Sequence, residues 1–205
     1  MKKRTLLYFL LLIVLIALSF IYDNQIVIFF SSLRNIYLDY LFVGFTFEIQ
    51  IAVFVFLTIL FLWKEHKRRW IIPLWLSMAF SEIIANVIKI TVQRARPFEA
   101  GIVSAVEFVK SFISGNLSAF SFPSAHAMFI FSALPVLDKE FPKFKYVWIV
   151  FACLVAISRV YFGVHYMSDV IAGAAIGYAI GLFFVFIEEK YEVGKKVLKK
   201  LKTKK

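Results

Sequence analysis

Residues 169–187 read DVIAGAAIGYAIGLFFVFI. One carboxylate opens the stretch and no other charge interrupts it. As a helix rising 1.5 Å per residue, a run of this length covers the ~30 Å of hydrocarbon in a bilayer. It predicts a membrane span. The flanking sequence repeats the pattern, with further apolar runs at about 5–22, 40–63, 70–90, 124–137 and 146–162. Of 205 residues, 61% are hydrophobic and 25 are Phe, more apolar surface than a soluble domain of this size can hide. The expected fold class is therefore all-α: a polytopic membrane protein of six transmembrane helices in one bundle, a single domain over 1–205 with a basic tail from about 190.

The first run follows Lys2, Lys3 and Arg4, as both signal peptides and anchors do. Its length, and the lack of a small-x-small cleavage site in Asp23-Asn24-Gln25, favour an anchor. The fourth run is too short to span comfortably. Its start near Ser124 is expected below the headgroups, in a wet, protein-lined pocket where irregular backbone is tolerated at that depth.

Lys and Arg number three at the amino terminus, four in 64–69, three in 138–145 and eight in the tail from Lys190, all on one side of a six-span topology. Only Arg34, Lys89, Arg94, Arg96, Lys110 and Arg159 fall on the other. The positive-inside bias then places both termini in the cytoplasm and these six cations on the periplasmic or exterior face of an inner or plasma membrane. Trp63 and Trp70 bracket an inner loop as interfacial anchors do. The net charge of +11 is not gathered on a folded face with polar or aromatic interleaving, so a nucleic acid is not the expected partner; the lipid bilayer, with its anionic headgroups, is. A single cysteine, Cys153, permits no intrachain disulfide and no cysteine cluster for a metal.

In the long outer loop, Ile102, Val103, Val106, Val109, Phe112 and Ile113 recur at roughly helical spacing, with Glu99, Glu107 and Lys110 among them. A short helix lying on the membrane surface and a lid packed over the pocket both fit. Glu48 and Glu82 sit within apolar runs, where ionisable residues are costly and are functional candidates. Glu82 lies two turns before Lys89, which favours a paired structural role for it; Glu48 has no such partner.

The outward cations are concentrated. Lys89 ends the third run, Arg94 and Arg96 follow, and Arg159 ends the fifth, while Ser124, His126, His165 and Asp169 occupy the other outward ends. Guanidinium forks and an ammonium bind phosphate oxygens, and a helix starting near Ser124 adds unpaired N–H groups and a positive dipole end. His165 and Asp169 are one helical turn apart, so the carboxylate can hold one imidazole N–H and leave the other nitrogen as a nucleophile. His126, on another helix, can protonate the leaving oxygen. Arg94 makes either a second phosphate contact or a headgroup contact. Lys89 taken alone reads as a lysine snorkelling from a helix end, and Ser124 as a helix N-cap. His66, among basic neighbours in the inner loop, reads as a solvated surface residue.

The run Lys89-Ile90-Thr91-Val92-Gln93-Arg94-Ala95-Arg96-Pro97, then Pro123-Ser124-Ala125-His126, then Ser158-Arg159 leading through His165 to Asp169, resembles the three-part signature of the type 2 phosphatidic acid phosphatase superfamily in order and spacing. The resemblance implies a lipid phosphatase in which Lys89, Arg96, Ser124 and Arg159 bind phosphate, with Ala125 in the same loop. His126 is then the acid, and His165, aligned by Asp169, becomes a phosphohistidine, with no metal or other cofactor. The implied substrate is a membrane lipid phosphate: phosphatidylglycerophosphate, phosphatidic acid, undecaprenyl pyrophosphate or a phosphate of lipid A. Ala125 departs from the signature, which has Gly there. If that backbone needs a positive φ, Ala is strained; if Ala125 begins a helix, nothing is lost. Two other readings compete. Glu48, Glu82 and the short fourth run suggest an anion or lipid transporter, and the superfamily's kinship with vanadate-dependent haloperoxidases suggests an oxidant's oxyanion pocket, which the hydrophobic setting disfavours.

Overall fold

Long runs of Leu, Ile, Phe and Val leave the backbone no hydrogen-bond partner but itself, so each closes into helix. The structure, a computed structural model, describes residues 3–45, 49–63, 65–104, 106 and 120–203, and every described element is helical. In chain order these are α1 (Lys3–Ser32), α2 (Ile36–Val43), α3 (Ile49–Leu62), a 3₁₀ turn (Glu65–Trp70), α4 (Ile71–Val92), α5 (Ala125–Ser132), α6 (Leu134–Glu140), α7 (Phe144–Tyr161), α8 (Met167–Tyr191) and α9 (Val193–Lys202). Among the described residues, Ile13–Ser32, Glu65–Val92, Phe144–Tyr161 and Met167–Tyr191 are long and apolar enough to cross a membrane, and Ile49–Leu62 is a shorter apolar helix. Their outer faces carry Ile21, Ile51, Val147 and Phe183, each more than half exposed, as hydrocarbon rather than water requires.

Three expected boundaries change. The first helix does not stop at residue 22 but continues to Ser32, carrying Asp23 into the bundle, where it is 2% exposed. The run 40–63 contains parts of two helices: α2 closes at Gly44, and α3 begins at Ile49. Glu48 lies outside the described residues. The fourth run is broken into α5 and α6 around Ala133. Pro135 supplies the reason, since it brings no N–H and its ring clashes with the carbonyl one turn back.

The long helix α8 is the axis of the bundle, packed on α1, α4, α5 and α6. Its approach to α5 is backbone to backbone. A Cβ on Gly177 would stand 2.2 Å from the Met128 carbonyl oxygen, and one on Gly173 would stand 2.7 Å from that of Ser124. Only hydrogen at these positions lets the two helices sit so close. The half of the bundle away from the start of α8 is filled by Leu57, Phe61, Trp70, Leu74, Met78, Ile130 and Leu137. Glu82 accepts a hydrogen bond from the Gln50 amide on α3, a structural pairing rather than an isolated charge. In the loop between α4 and α5, Ile102 and Val103 pack against Val27 and Val160 in the bundle, while Val109, Phe112 and Ile113 lie outside the described residues.

Candidate active site

At the end of α7 the chain must reverse to enter α8. Gly163, at φ +69°, makes the turn, and the Arg159 carbonyl oxygen accepts the Val164 and His165 N–H groups at 3.2 and 3.3 Å. His165 is thereby turned inward and is 2% exposed. Its Nδ1 lies 2.7 Å from the Ser121 carbonyl oxygen and 3.5 Å from Asp169 Oδ2. A carbonyl only accepts, so Nδ1 carries the proton and Nε2 is left with a lone pair.

The expectation that Asp169 itself holds the imidazole is thus modified. Asp169, completely buried near the start of α8, spends Oδ2 on the Tyr166 N–H at 2.8 Å, as a capping side chain does. Its Oδ1 accepts from Arg94 Nη1 at 2.7 Å. It stands beside the imidazole as a charge, and the closer acceptor is a backbone carbonyl that sequence reasoning did not identify.

Around His165 the expected cations converge. Burial, followed by the charges of Arg96, Lys89 and Arg159, holds the His165 imidazole well below the ordinary histidine range, so the ring is neutral at pH 7. Lys89 is 2% exposed and donates inward to the Phe120 carbonyl at 2.6 Å, so it does not snorkel. Arg96 is 4% exposed and donates from Nη1 to the Val164 carbonyl at 3.0 Å. Burial, ahead of the opposing pull of Glu99 and Asp169, lowers its guanidinium from the usual range. Arg159 is also buried, and its Nε has no hydrogen-bond partner among the described residues.

Ser124 occupies the N-cap position of α5, but its hydroxyl makes no cap hydrogen bond and is buried without a partner. A buried donor left unpaired is costly, and two such donors beside a neutral imidazole suit an anion's oxygens. Ala125 is the first residue of α5 and is not in the left-handed region, so the methyl that replaces the signature's Gly introduces no backbone strain. The Ser124 N–H donates to the Asp169 carbonyl at 3.0 Å, stitching the start of α5 to the start of α8. His126, the second residue of α5, is half-buried, within electrostatic reach of His165, Lys89, Arg96 and Arg159.

These eight residues, drawn from three separated stretches of sequence, are brought to one end of the bundle, and that same order of stretches is a family signature. The PAP2 superfamily profile matches residues 70–191. A lipid A 4'-phosphatase of Bacteroides thetaiotaomicron is 30% identical over 182 residues, covering 82% of this chain and 77% of the relative. The chain belongs to the PAP2 superfamily. A lipid A 1-phosphatase of Rhizobium etli is 35% identical over 107 residues, and the match spans 51% of this PAP2 chain but only 44% of that relative's length. The PAP2-type phosphatidylglycerolphosphate phosphatase of Bacillus subtilis has the same fold, with a TM-score of 0.68 at 24% identity over 93% of this chain and 98% of that one.

The PAP2 signature leaves part of the site unassigned. Arg94 is engaged by the protein's own side chains. Besides Asp169 it donates to Ser168 Oγ at 2.7 Å and to Asp23 Oδ2 at 2.8 Å, and its guanidinium lies 3.8 Å from the centre of the Tyr166 ring. Asp23 also accepts the Ser168 N–H at 2.9 Å and the Ser168 hydroxyl. Asp23 and Ser168 were not singled out by sequence reasoning. A carboxylate at the expected edge of a span was the available signal.

Proposed function

We propose that this PAP2 protein hydrolyses a phosphate monoester or pyrophosphate of a membrane lipid through a phosphohistidine at His165. The observation that carries the reading is a buried, neutral imidazole with its Nδ1 proton fixed on Ser121, facing Lys89, Arg96 and Arg159. In the first half-reaction His126, which takes up a proton alongside the bound phosphate dianion, gives it to the leaving oxygen as the Nε2 lone pair attacks phosphorus and the P–O bond to the lipid breaks. The three cations and the Ser124 hydroxyl hold the equatorial oxygens as charge shifts among them. Water then attacks the phosphohistidine, giving its proton to His126; the P–N bond breaks and inorganic phosphate leaves. His126 is half-buried where His165 is enclosed, which suits an acid on the side where the lipid alcohol departs.

The neutralising charge comes from side chains, so no step calls on a divalent ion. The named relatives support lipid A phosphates and phosphatidylglycerophosphate as first substrates to try, with phosphatidic acid and undecaprenyl pyrophosphate beside them. The charge distribution supports six crossings, both termini in the cytoplasm and the pocket on the periplasmic or exterior face. The transporter reading rested partly on Glu82, whose hydrogen bond with Gln50 gives it another role.

The test is phosphate release from that lipid panel in detergent with EDTA present. Wild type releases phosphate, His165→Ala releases none, and His126→Ala is slowed by ~10²–10⁴. Equal release by wild type and His165→Ala would refute the nucleophile; activity that EDTA abolishes and a divalent ion restores would refute the metal-free route.

A further inference from the structure

Asp169 stands beside the nitrogen opposite the reacting one, and its usefulness there is its negative charge. Once Nε2 carries phosphate with the proton still on Nδ1, the ring is cationic, and a carboxylate at 3.5 Å stabilises it. Arg94 works against this. Its guanidinium, always charged, donates to Asp169 Oδ1 at 2.7 Å and would cancel most of that field. The second nitrogen of the same guanidinium donates to Asp23 Oδ2 at 2.8 Å.

Asp23 lies on α1, remote in sequence from the signature, and its side chain is 3% exposed. It is not a solvated surface charge that found a neighbour. Its Oδ1 takes the Ser168 N–H, one of the donors at the start of α8 that have no partner within the helix. Its Oδ2 takes Arg94 and the Ser168 hydroxyl. A partly exposed arginine between two buried carboxylates leaves the three groups with one net negative charge, with Asp169 next to the imidazole.

We infer that Asp23 is a positioning residue for the reaction: through Arg94 it restores the negative field that Asp169 presents to His165, and through Ser168 it caps the helix that carries Asp169. The inference rests on the phosphohistidine reading above. Lys89 from α4, Arg96 from the segment after it, His126 from α5, Arg159 from α7 and Asp169 near the start of α8 act on His165 directly, whereas Arg94 and Tyr166 reach it through Asp169, Asp23 from α1 through Arg94, and Glu99 through Arg96. Among the described residues the carboxylates of this set are Asp23, Glu99 and Asp169, of which Asp23 and Asp169 are tied to one guanidinium, that of Arg94. Arg94 makes a direct ion pair with each of Asp23 and Asp169, at 2.8 and 2.7 Å.

A cap and a charge predict different things. Asp23→Asn keeps one oxygen, enough to accept the Ser168 N–H that caps the helix, while its NH2 can donate to the Ser168 hydroxyl; the charge opposite Arg94 is gone, so kcat falls by roughly ten-fold, the scale of one screened charge acting through a neighbour, with KM little changed. Removing Arg94 as well returns the net charge at Asp169 to its original value. Asp23→Asn/Arg94→Gln therefore recovers much of the kcat that Asp23→Asn loses. A purely structural Asp23 predicts the reverse, a double variant no better than the single one. A readout independent of turnover is the ¹⁵N titration of His165, resolvable in a chain with three histidines: Asp23→Asn moves it further down, and the double variant moves it back.

Asp23→Asn with wild-type kcat and an unmoved His165 titration overturns the inference, as does a double variant no faster than the single. If Asp23→Asn cannot be isolated folded, the double variant decides alone: it folds and turns over if charge balance is the role, and is lost too if Asp23 is only a cap. Wild type that releases no phosphate from any lipid instead refutes the proposed function, while the titration still reports on the charge coupling.

Discussion

His165 shows what a single residue contributes and how far its chemistry was legible. Its spacing to Asp169 and the type of its companions could be read directly from the chain. The Ser121 carbonyl that fixes its tautomer could not, because every residue has a carbonyl and only the folded loop aims this one. The unpartnered Ser124 hydroxyl was likewise hidden, since Ser before a helix normally reads as a cap. The lowered titration of His165 has a consequence for stability. In the native state the ring stays neutral, whereas in the unfolded chain it takes a proton near its ordinary value of ~6.5. Below that value the unfolded chain binds more protons, so stability is full above it and falls as pH drops, by at most ~1.4 kcal/mol per unit from this group. The thermal midpoint of detergent-solubilised wild type is expected to fall between pH 7 and pH 5.5, more steeply than that of His165→Gln. Equal slopes for the two proteins would show that His165 is not held neutral by its surroundings.

The catalytic residues proposed here depend on how closely two elements approach. α5 brings Ser124 and His126, α8 brings Asp169 and follows His165, and the contact between them is made by Gly173 and Gly177. The signal was present in residues 169–187, where glycines recur every four residues, the small-residue spacing by which membrane helices pack closely. Read for hydropathy alone, the stretch announces a span and hides the contact. The broken fourth run was legible as shortness, and Pro135 explains the break. The length of α1 was not legible, because Asp23-Asn24-Gln25 reads as the end of a span until the buried partners of Asp23 are known. Gly177→Ala adds a methyl 2.2 Å from the Met128 carbonyl, a clash with backbone that no side-chain rotation relieves. The expected result is a destabilisation of ~1–3 kcal/mol and a fall in phosphate release, as Ser124 and His126 are displaced from His165. A variant with wild-type thermal midpoint and rate would mean that the two helices are farther apart than the structure has them.

At the scale of the whole molecule the charges are segregated by end. The site end gathers its cations inside the protein, with Lys89, Arg96 and Arg159 buried around one pocket, so they do little to set orientation through the headgroups. The opposite end displays its cations: Lys195, Lys196, Lys199 and Lys200 are exposed on α9, a basic amphipathic helix with Val197 and Leu198 between them. This helix is tied to the inner loop. Gly194 donates to Glu188 Oε2 at 2.7 Å and lies against the Arg69 carbonyl, where a Cβ would come within 1.9 Å. These exposed lysines therefore share one end of the bundle with the 3₁₀ turn Glu65–Trp70, itself bearing Lys67, Arg68 and Arg69. Positive residues are retained on the cytoplasmic side during insertion, so α9 is expected inside and the pocket outside. With Cys153 replaced by Ala, a membrane-impermeant maleimide applied to intact cells should label Ala100→Cys, which is exposed at the site end. It should reach Lys200→Cys only after permeabilisation. The opposite pattern would invert the orientation, placing the pocket in the cytoplasm and limiting its substrates to lipids whose phosphates face inward.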